Sequence, residues 1–184
     1  MRTQRLIVYV FAACLVSLFA GTAMADDERG HFNAFLKGTY RISATLSCSS
    51  GPNPESIGSD PTSFITFAGV ITYDGHGLAT ATDHGVNIGT GSPDGFDEAC
   101  EFSYKVARDG SFSQTGSCTD AGKSFLLSGL KWNGQIGDEG EVLITNRVGT
   151  DVEKLEVPAP PALAVFTRYS ICGGVGTAVR IHPH

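Results

Sequence analysis

The chain has 184 residues, with nineteen acidic side chains against thirteen basic ones and a net charge of −6. That balance argues against nucleic acid or an anionic membrane surface as a partner. The length suits one domain with a real core, and no stretch after the N-terminus has the apolar run that a membrane-crossing helix needs.

Arg2 and Arg5 precede an apolar run from Leu6 to Ala20, and Ala23-Met24-Ala25 places small residues where a signal peptidase reads them. Residues 1–25 therefore read as a signal peptide cleaved after Ala25, which puts the mature chain in the periplasm or outside the cell. Cleavage removes two basic residues and no acidic one, and the mature charge becomes −8, eleven against nineteen. Cys14 leaves with the signal. In an exported chain the other four cysteines, Cys48, Cys100, Cys118 and Cys172, form a disulfide framework with three connectivities open. No C-x-x-C or Cys/His ligand spacing occurs, so no metal site is expected.

Residues 26–37 form an N-terminal arm, either a short helical turn or a strap across one end of a barrel. Residues 38–184 read as a single β domain. Gly38 to Cys48 alternates, with Tyr40, Ile42, Ala44, Leu46 and Cys48 on one face. A Ser/Pro/Gly-rich loop covers Ser49 to Thr62. Ser63 to Tyr73 is a strand with Ile65, Phe67, Gly69, Ile71 and Tyr73 on one face. Asp74-Gly75-His76-Gly77 is a turn, Leu78 to Asp83 returns, and Asn87 to Gly95 is a loop.

The next hairpin has the clearest pattern. Cys100, Phe102, Tyr104 and Val106 share one face, and Glu101, Ser103 and Lys105 the other. Arg108-Asp109-Gly110 suits a three-residue loop with glycine in the left-handed position. That loop sets Ala107 against Ser111, and the register then places Cys100 opposite Cys118, Phe102 opposite Gly116 and Tyr104 opposite Gln114. A Cys100–Cys118 disulfide follows from the register and leaves Cys48 with Cys172. The Phe102 ring would cover the bare backbone of Gly116.

Phe125 to Trp132 reads as a strand, Asn133-Gly134 as a two-residue hairpin turn, and a partner strand returns between Gln135 and Val148. Asp151 to Val157 is a short strand stopped by Pro158, Pro160 and Pro161. Leu163 to Cys172 and Thr177 to Ile181 are the last two, separated by Gly173-Gly174. Eight or nine strands joined mostly by hairpins predict an all-β fold: a single antiparallel up-and-down, calycin-like barrel of about eight strands, or else a sandwich. A Cys48–Cys172 bond would join the first strand to the last and favours the barrel.

Gly38-Thr39-Tyr40, the segment Val70-Ile71-Thr72-Tyr73-Asp74-Gly75-His76-Gly77, and Tyr104 to Gly110 together resemble small exported bacterial proteins with a lipocalin-like or allene-oxide-cyclase-like barrel. Tyr40 stands where the lipocalin G-x-W signature carries Trp, and Thr82-Asp83-His84 is the nearest echo of its T-D-Y motif. The resemblance implies the fold and, by analogy, a barrel that holds a ligand.

His76 and His84 flank a hairpin that carries Asp74 and Asp83. They could form a metal or acid/base cluster at one barrel mouth. The plainer reading, which the absence of a motif favours, has Asp74 capping its own turn, His76 solvated, and Asp83 and His84 ending an edge. Glu98 and Glu101 do not read as a catalytic pair, because Glu101 faces solvent. No nucleophile elbow, phosphate loop or zinc-protease motif occurs, and no catalytic residue or cofactor is expected.

Tyr40, Phe67, Tyr73, Phe102 and Tyr104 all point inward and are the candidate ligand-binding residues. An eight-stranded barrel is either just filled by its side chains or holds one small ligand. Three functions remain open: a module binding a small apolar ligand in the barrel, a non-catalytic envelope or interaction protein with a filled core, and a cyclase- or isomerase-type enzyme in the cavity. The tyrosines favour the first, since a buried hydroxyl wants a partner. Membrane insertion is not expected. The disulfide lies on the apolar face, the other face is Ser, Thr and charge, and the chain ends without the terminal aromatic typical of outer-membrane barrels.

Overall fold

The computed structural model describes residues 32–89, 93–147, 150–158 and 165–182. The expected signal segment (residues 1–25), the start of the expected arm and residues 159–164, with Pro160, Pro161 and Leu163, lie outside them. Nine antiparallel strands make one sheet: β1 (Gly38–Gly51), β2 (Ser63–Tyr73), β3 (Leu78–Ile88), β4 (Asp94–Val106), β5 (Ser111–Thr119), β6 (Leu126–Gly137), β7 (Val142–Arg147), β8 (Val152–Val157) and β9 (Phe166–Arg180). β1 to β7 pair in sequence order, and β9 pairs back onto β1. That seam closes the sheet and decides for the barrel against the sandwich. β7 and β8 lie end to end between β6 and β9, so the nine strands fill eight positions.

The organising hairpin has the expected register, with Cys100 opposite Cys118, Phe102 opposite Gly116 and Val106 opposite Phe112. Asp109 caps the turn by accepting from the Ser111 backbone N–H at 3.0 Å, and Gly110 takes a φ of 78°. A side chain on Gly116 would collide with the Phe102 ring. Both expected disulfides form: Cys100–Cys118 across β4 and β5, and Cys48–Cys172 across the closing seam.

Two turn assignments are corrected. Asn133-Gly134 is no turn: β6 runs straight through it, and the chain reverses at Asp138–Gly140. Gly134 is needed for another reason, because a Cβ there would stand 2.5 Å from Phe112 Cε1 and from the Ile144 carbonyl oxygen. Likewise Gly173-Gly174 does not break the last strand. β9 is continuous through 166–180, and Gly174 and Gly176 let it approach Leu46 and Ala44 of β1. β3 also continues past Asp83 to Ile88, so Asp83 sits within a strand and not at its end.

One end of the barrel is plugged. The arm forms a 3₁₀ turn, Phe32–Leu36, with Leu36 wholly buried. Asn33 Oδ1 accepts from the Val106 backbone N–H at 2.9 Å, which ties the turn to β4. The described part of the expected arm, from Phe32, is this 3₁₀ turn packed against β4.

Candidate functional site

The inward-facing residues stack in three layers above that plug. The lowest is a tyrosine floor. Tyr73 packs edge-on between Tyr40 and Tyr104, with ring centroids 5.6 and 5.0 Å away, the geometry that opposes ring faces to ring edges. Each hydroxyl is satisfied inside the protein. Tyr40 donates to the Gly140 carbonyl at 2.8 Å and accepts from Arg180 Nη2 at 2.8 Å. Tyr73 donates to Gln114 Oε1 at 2.7 Å. Tyr104 donates to the Asn33 carbonyl at 3.2 Å and accepts from the Gly75 N–H at 3.0 Å. Burial holds all three phenols above their ordinary range, Tyr104 at about 12.

The second layer encloses a chamber of about 100 Å³. Its wall is mainly apolar: Ile42, Ala44, Phe67, Ile71, Ala81, Phe102, Leu130 and Trp132 all border it. Phe67 and Trp132 meet edge to face at 6.0 Å. The small side chains of β3 and β1 leave the space that these rings do not fill. Of the five candidate ligand-binding residues, Phe67, Tyr73 and Phe102 line the chamber. Tyr40 and Tyr104 lie in the floor below it, and their partners there account for the hydroxyls that suggested a ligand.

The third layer is charged, and sequence reasoning missed it. Asp83 of β3, Glu98 of β4, Arg147 at the end of β7 and Glu153 at the start of β8 all face the chamber. Arg147 and Glu153 form an ion pair in which both side chains are almost fully buried, 6% and 5% exposed. The Arg147 guanidinium also lies 5.0 Å from the Trp132 ring centroid, a cation–π contact. Burial lowers the Arg147 pKa to about 10, against the pull of Glu98 and Asp151, so it stays charged at neutral pH. Asp83 and Glu98 stand opposite each other in the β3–β4 register. Burial, and then the Asp97 charge, push Asp83 up to about 6, with His84 opposing. Burial, and then Asp83, push Glu98 up to about 7, with Arg147 opposing.

Strand phase was the signal that could have found this layer. Asp83 is in step with Ala79 and Ala81, and Glu98 with Cys100 and Phe102. Ending β3 at Asp83 hid the first of these. The hairpin around it otherwise follows the plainer reading. Asp74 Oδ1 accepts from the backbone N–H groups of His76, Gly77 and Leu78 at 2.6, 3.0 and 3.0 Å. His84 faces outward onto Asp97 at 2.8 Å, both exposed.

Beyond the charged layer the chamber widens into a vestibule of about 250 Å³, and Ile65, Phe96, Glu98, Leu127 and Glu153 border both spaces. The vestibule rim includes Ser50, Ser63, Asp94, Val157 and Arg168. These residues lie at the strand ends opposite the plug, so this is the open mouth, and the Cys48–Cys172 bridge borders it. Glu98, Cys100 and Cys118 cluster closely, but both sulfurs are spent in the disulfide and offer no thiolate to a metal. Chemically, the layer can neutralise a cation, and Asp83 and Glu98 can exchange protons near neutrality. Comparison of the chain with protein-family models, with curated proteins and with solved structures found no match.

Proposed function

We propose that the protein is an exported binding module that takes a small, mainly apolar ligand into its barrel through the mouth beside Cys48–Cys172. The observation that carries this is the partly enclosed, aromatic-lined chamber that shares its wall residues Ile65, Phe96, Glu98, Leu127 and Glu153 with a vestibule at the end opposite the plug. The chamber, about 100 Å³, and the vestibule, about 250 Å³, are each smaller than the roughly 300–1,000 Å³ usual for small-molecule sites, so a ligand would be small and would extend from one into the other. A ligand there would rest on Phe67, Phe102 and Trp132 and stand on the Tyr73 edge of the floor. Two disulfides in a chain of this size fit an oxidising compartment, and the lipocalin-like or allene-oxide-cyclase-like resemblance is of a piece with a ligand-holding barrel. The outward face of β4 and β5, with Glu101, Ser103, Lys105, Ser113 and Thr115, supports a barrel surrounded by water.

The test is saturable one-to-one binding of a neutral fluorescent probe, N-phenyl-1-naphthylamine, to the folded protein. Ala81→Phe would fill the chamber and should abolish that binding while the protein still melts cooperatively. Unchanged binding in Ala81→Phe would locate the probe elsewhere and remove the chamber from consideration.

A further inference from the structure

We infer that the ligand of this chamber carries a cationic amine, which docks between Asp83 and Glu98 with its apolar body against the aromatic wall. The inference rests on the proposed binding role and specifies the chemistry of the ligand.

The argument begins with charge. Three carboxylates and one guanidinium face the chamber. Glu153 and the Trp132 face already engage Arg147. Asp83 and Glu98 have no ion-pair partner among the described residues, Arg147 and His84 acting on them only from a distance, and they stand at directly opposed positions of neighbouring strands, where like charges destabilise a sheet. Two such acids beside an already paired Arg147 and Glu153 carry a desolvation and repulsion cost on this inner face, and a bound cation removes that penalty.

Hydrogen bonding points the same way. Asp83 Oδ1 is sealed from solvent and has no partner among the described residues. Asp83 Oδ2 has the Cys100 sulfur 3.9 Å away, but a disulfide sulfur carries no proton to donate. Asn87, two pairs of strand positions nearer the mouth on the same face of β3, has a second sealed and unpartnered oxygen, Oδ1. Both orphaned atoms are acceptors. Buried acceptors without donors are costly, so the complementary ligand brings donors, and an ammonium brings three. The surroundings set the rest of the shape: Phe96 and Phe67 close over the Cβ-less backbone of Gly85 beside Asp83, so the group attached to the amine must be flat or slender and apolar.

Proton linkage gives an independent readout. The groups facing the pair are Arg147 and Glu153 within the barrel, with His84 and Asp97 acting through the wall. Arg147 stays charged and Glu153 is tied to it, so ionisation of Asp83 and Glu98 themselves governs the site as pH rises from 5 to 8. Affinity for an amine should rise over that interval, while that for a neutral analogue should not.

The experiment displaces N-phenyl-1-naphthylamine with three compounds sharing one body: phenethylamine, phenethyl alcohol and phenylacetate. Calorimetric titration of phenethylamine runs alongside. We expect the amine to compete about tenfold or more better than the alcohol at pH 8, with the carboxylate weakest. In Asp83→Asn/Glu98→Gln the amine-to-alcohol ratio should collapse towards one. Should that double variant fail to fold, the single Glu98→Gln variant and the pH series on the native protein give the same comparison. An amine no better than the alcohol, with the neutral probe bound, overturns the inference and leaves the binding role standing. Amine binding by calorimetry with no uptake of the neutral probe upholds the inference and restricts the site to cations. No binding of any compound overturns both.

Discussion

Arg147 and Glu153 face the lumen from either side of the break between β7 and β8, and each is the other's ion-pair partner there. A buried charge that loses its partner keeps its desolvation cost and loses the attraction that offset it. Arg147→Met or Glu153→Gln alone should therefore destabilise the protein by about 3–5 kcal/mol, whereas the double change to Met and Leu should recover most of that loss. Urea denaturation of the two singles and the double makes the comparison, and singles within experimental error of the parent would show the pair to be dispensable. Asp83 and Glu98 act in the opposite sense. Their folded-state pKa values, about 6 and about 7, lie above the ordinary 3.8 and 4.5. The folded protein binds more protons than the unfolded chain between about pH 4 and pH 7, so stability falls as pH rises through that window. Asp74, Asp109 and Asp120 are held below their ordinary value, chiefly by hydrogen bonds from His76, Ser111 and Ser124 respectively; their contribution is present above about 3.8 and lost in stronger acid. The ligand-free protein should thus melt at a higher temperature at pH 5 than at pH 8, and Asp83→Asn/Glu98→Gln should reduce that difference. A double variant whose melting profile against pH matches the parent would show that these carboxyls titrate normally. Sequence periodicity assigned the tyrosines to the interior correctly, because alternation needs only one strand to be read. It did not show that Tyr40 and Tyr104 find their partners in Gly140 and Asn33, residues more than seventy positions away or in a turn of unknown destination. The charged layer was lost for a related reason, since a polar residue at the presumed end of a strand reads as solvated unless the strand is known to continue.

The elements were legible where one residue type had one local cause. Arg108-Asp109-Gly110 produced the expected loop because the left-handed φ of 78° at Gly110 is a backbone demand that can be met without tertiary help. Asn133-Gly134 and Gly173-Gly174 misled because glycine answers two different demands, a positive φ or the close approach of another group, and sequence does not separate them. Gly134 lies in extended β6 beneath the Phe112 ring, and Gly174 lies in β9 against Leu46. The distinction has a measurable consequence. Gly134→Ala should destabilise by about 1–3 kcal/mol through overpacking, and Phe112→Leu, by withdrawing the ring, should relieve the part of that due to the ring in the double variant, while the contact with the Ile144 carbonyl oxygen remains. Strictly additive losses in the double-mutant cycle would mean that Gly134 serves some purpose other than accommodating Phe112.

At the scale of the molecule β1 to β7 pair as successive hairpins and the β1–β9 seam joins the first strand to the last, and the two disulfides divide along that line. Cys100–Cys118 spans 18 residues within a hairpin that its own turn already specifies, while Cys48–Cys172 spans 124 and holds β1 to β9. In the chain-entropy account, the bridge closing the longer loop removes more freedom from the unfolded chain. Replacing Cys48 and Cys172 by Ala should therefore cost about 4–5 kcal/mol, and the same change at Cys100 and Cys118 about 3. Their positions predict a second difference. Loss of the hairpin bridge leaves the seam intact, but loss of Cys48–Cys172 removes the covalent tie at the mouth, where the vestibule meets solvent. Hydrogen exchange in the Cys48→Ala/Cys172→Ala protein should speed up first at Ser47 to Gly51 of β1 and Tyr169 to Gly173 of β9, the rungs nearest the mouth, and leave the rungs beside the plug, Tyr40 with Arg180, protected. On the proposed binding role, the same variant should release the naphthylamine probe faster, because its entrance is no longer held to one width. Uniform acceleration along the whole seam would mean that the bridge stabilises the barrel globally and does not set the mouth.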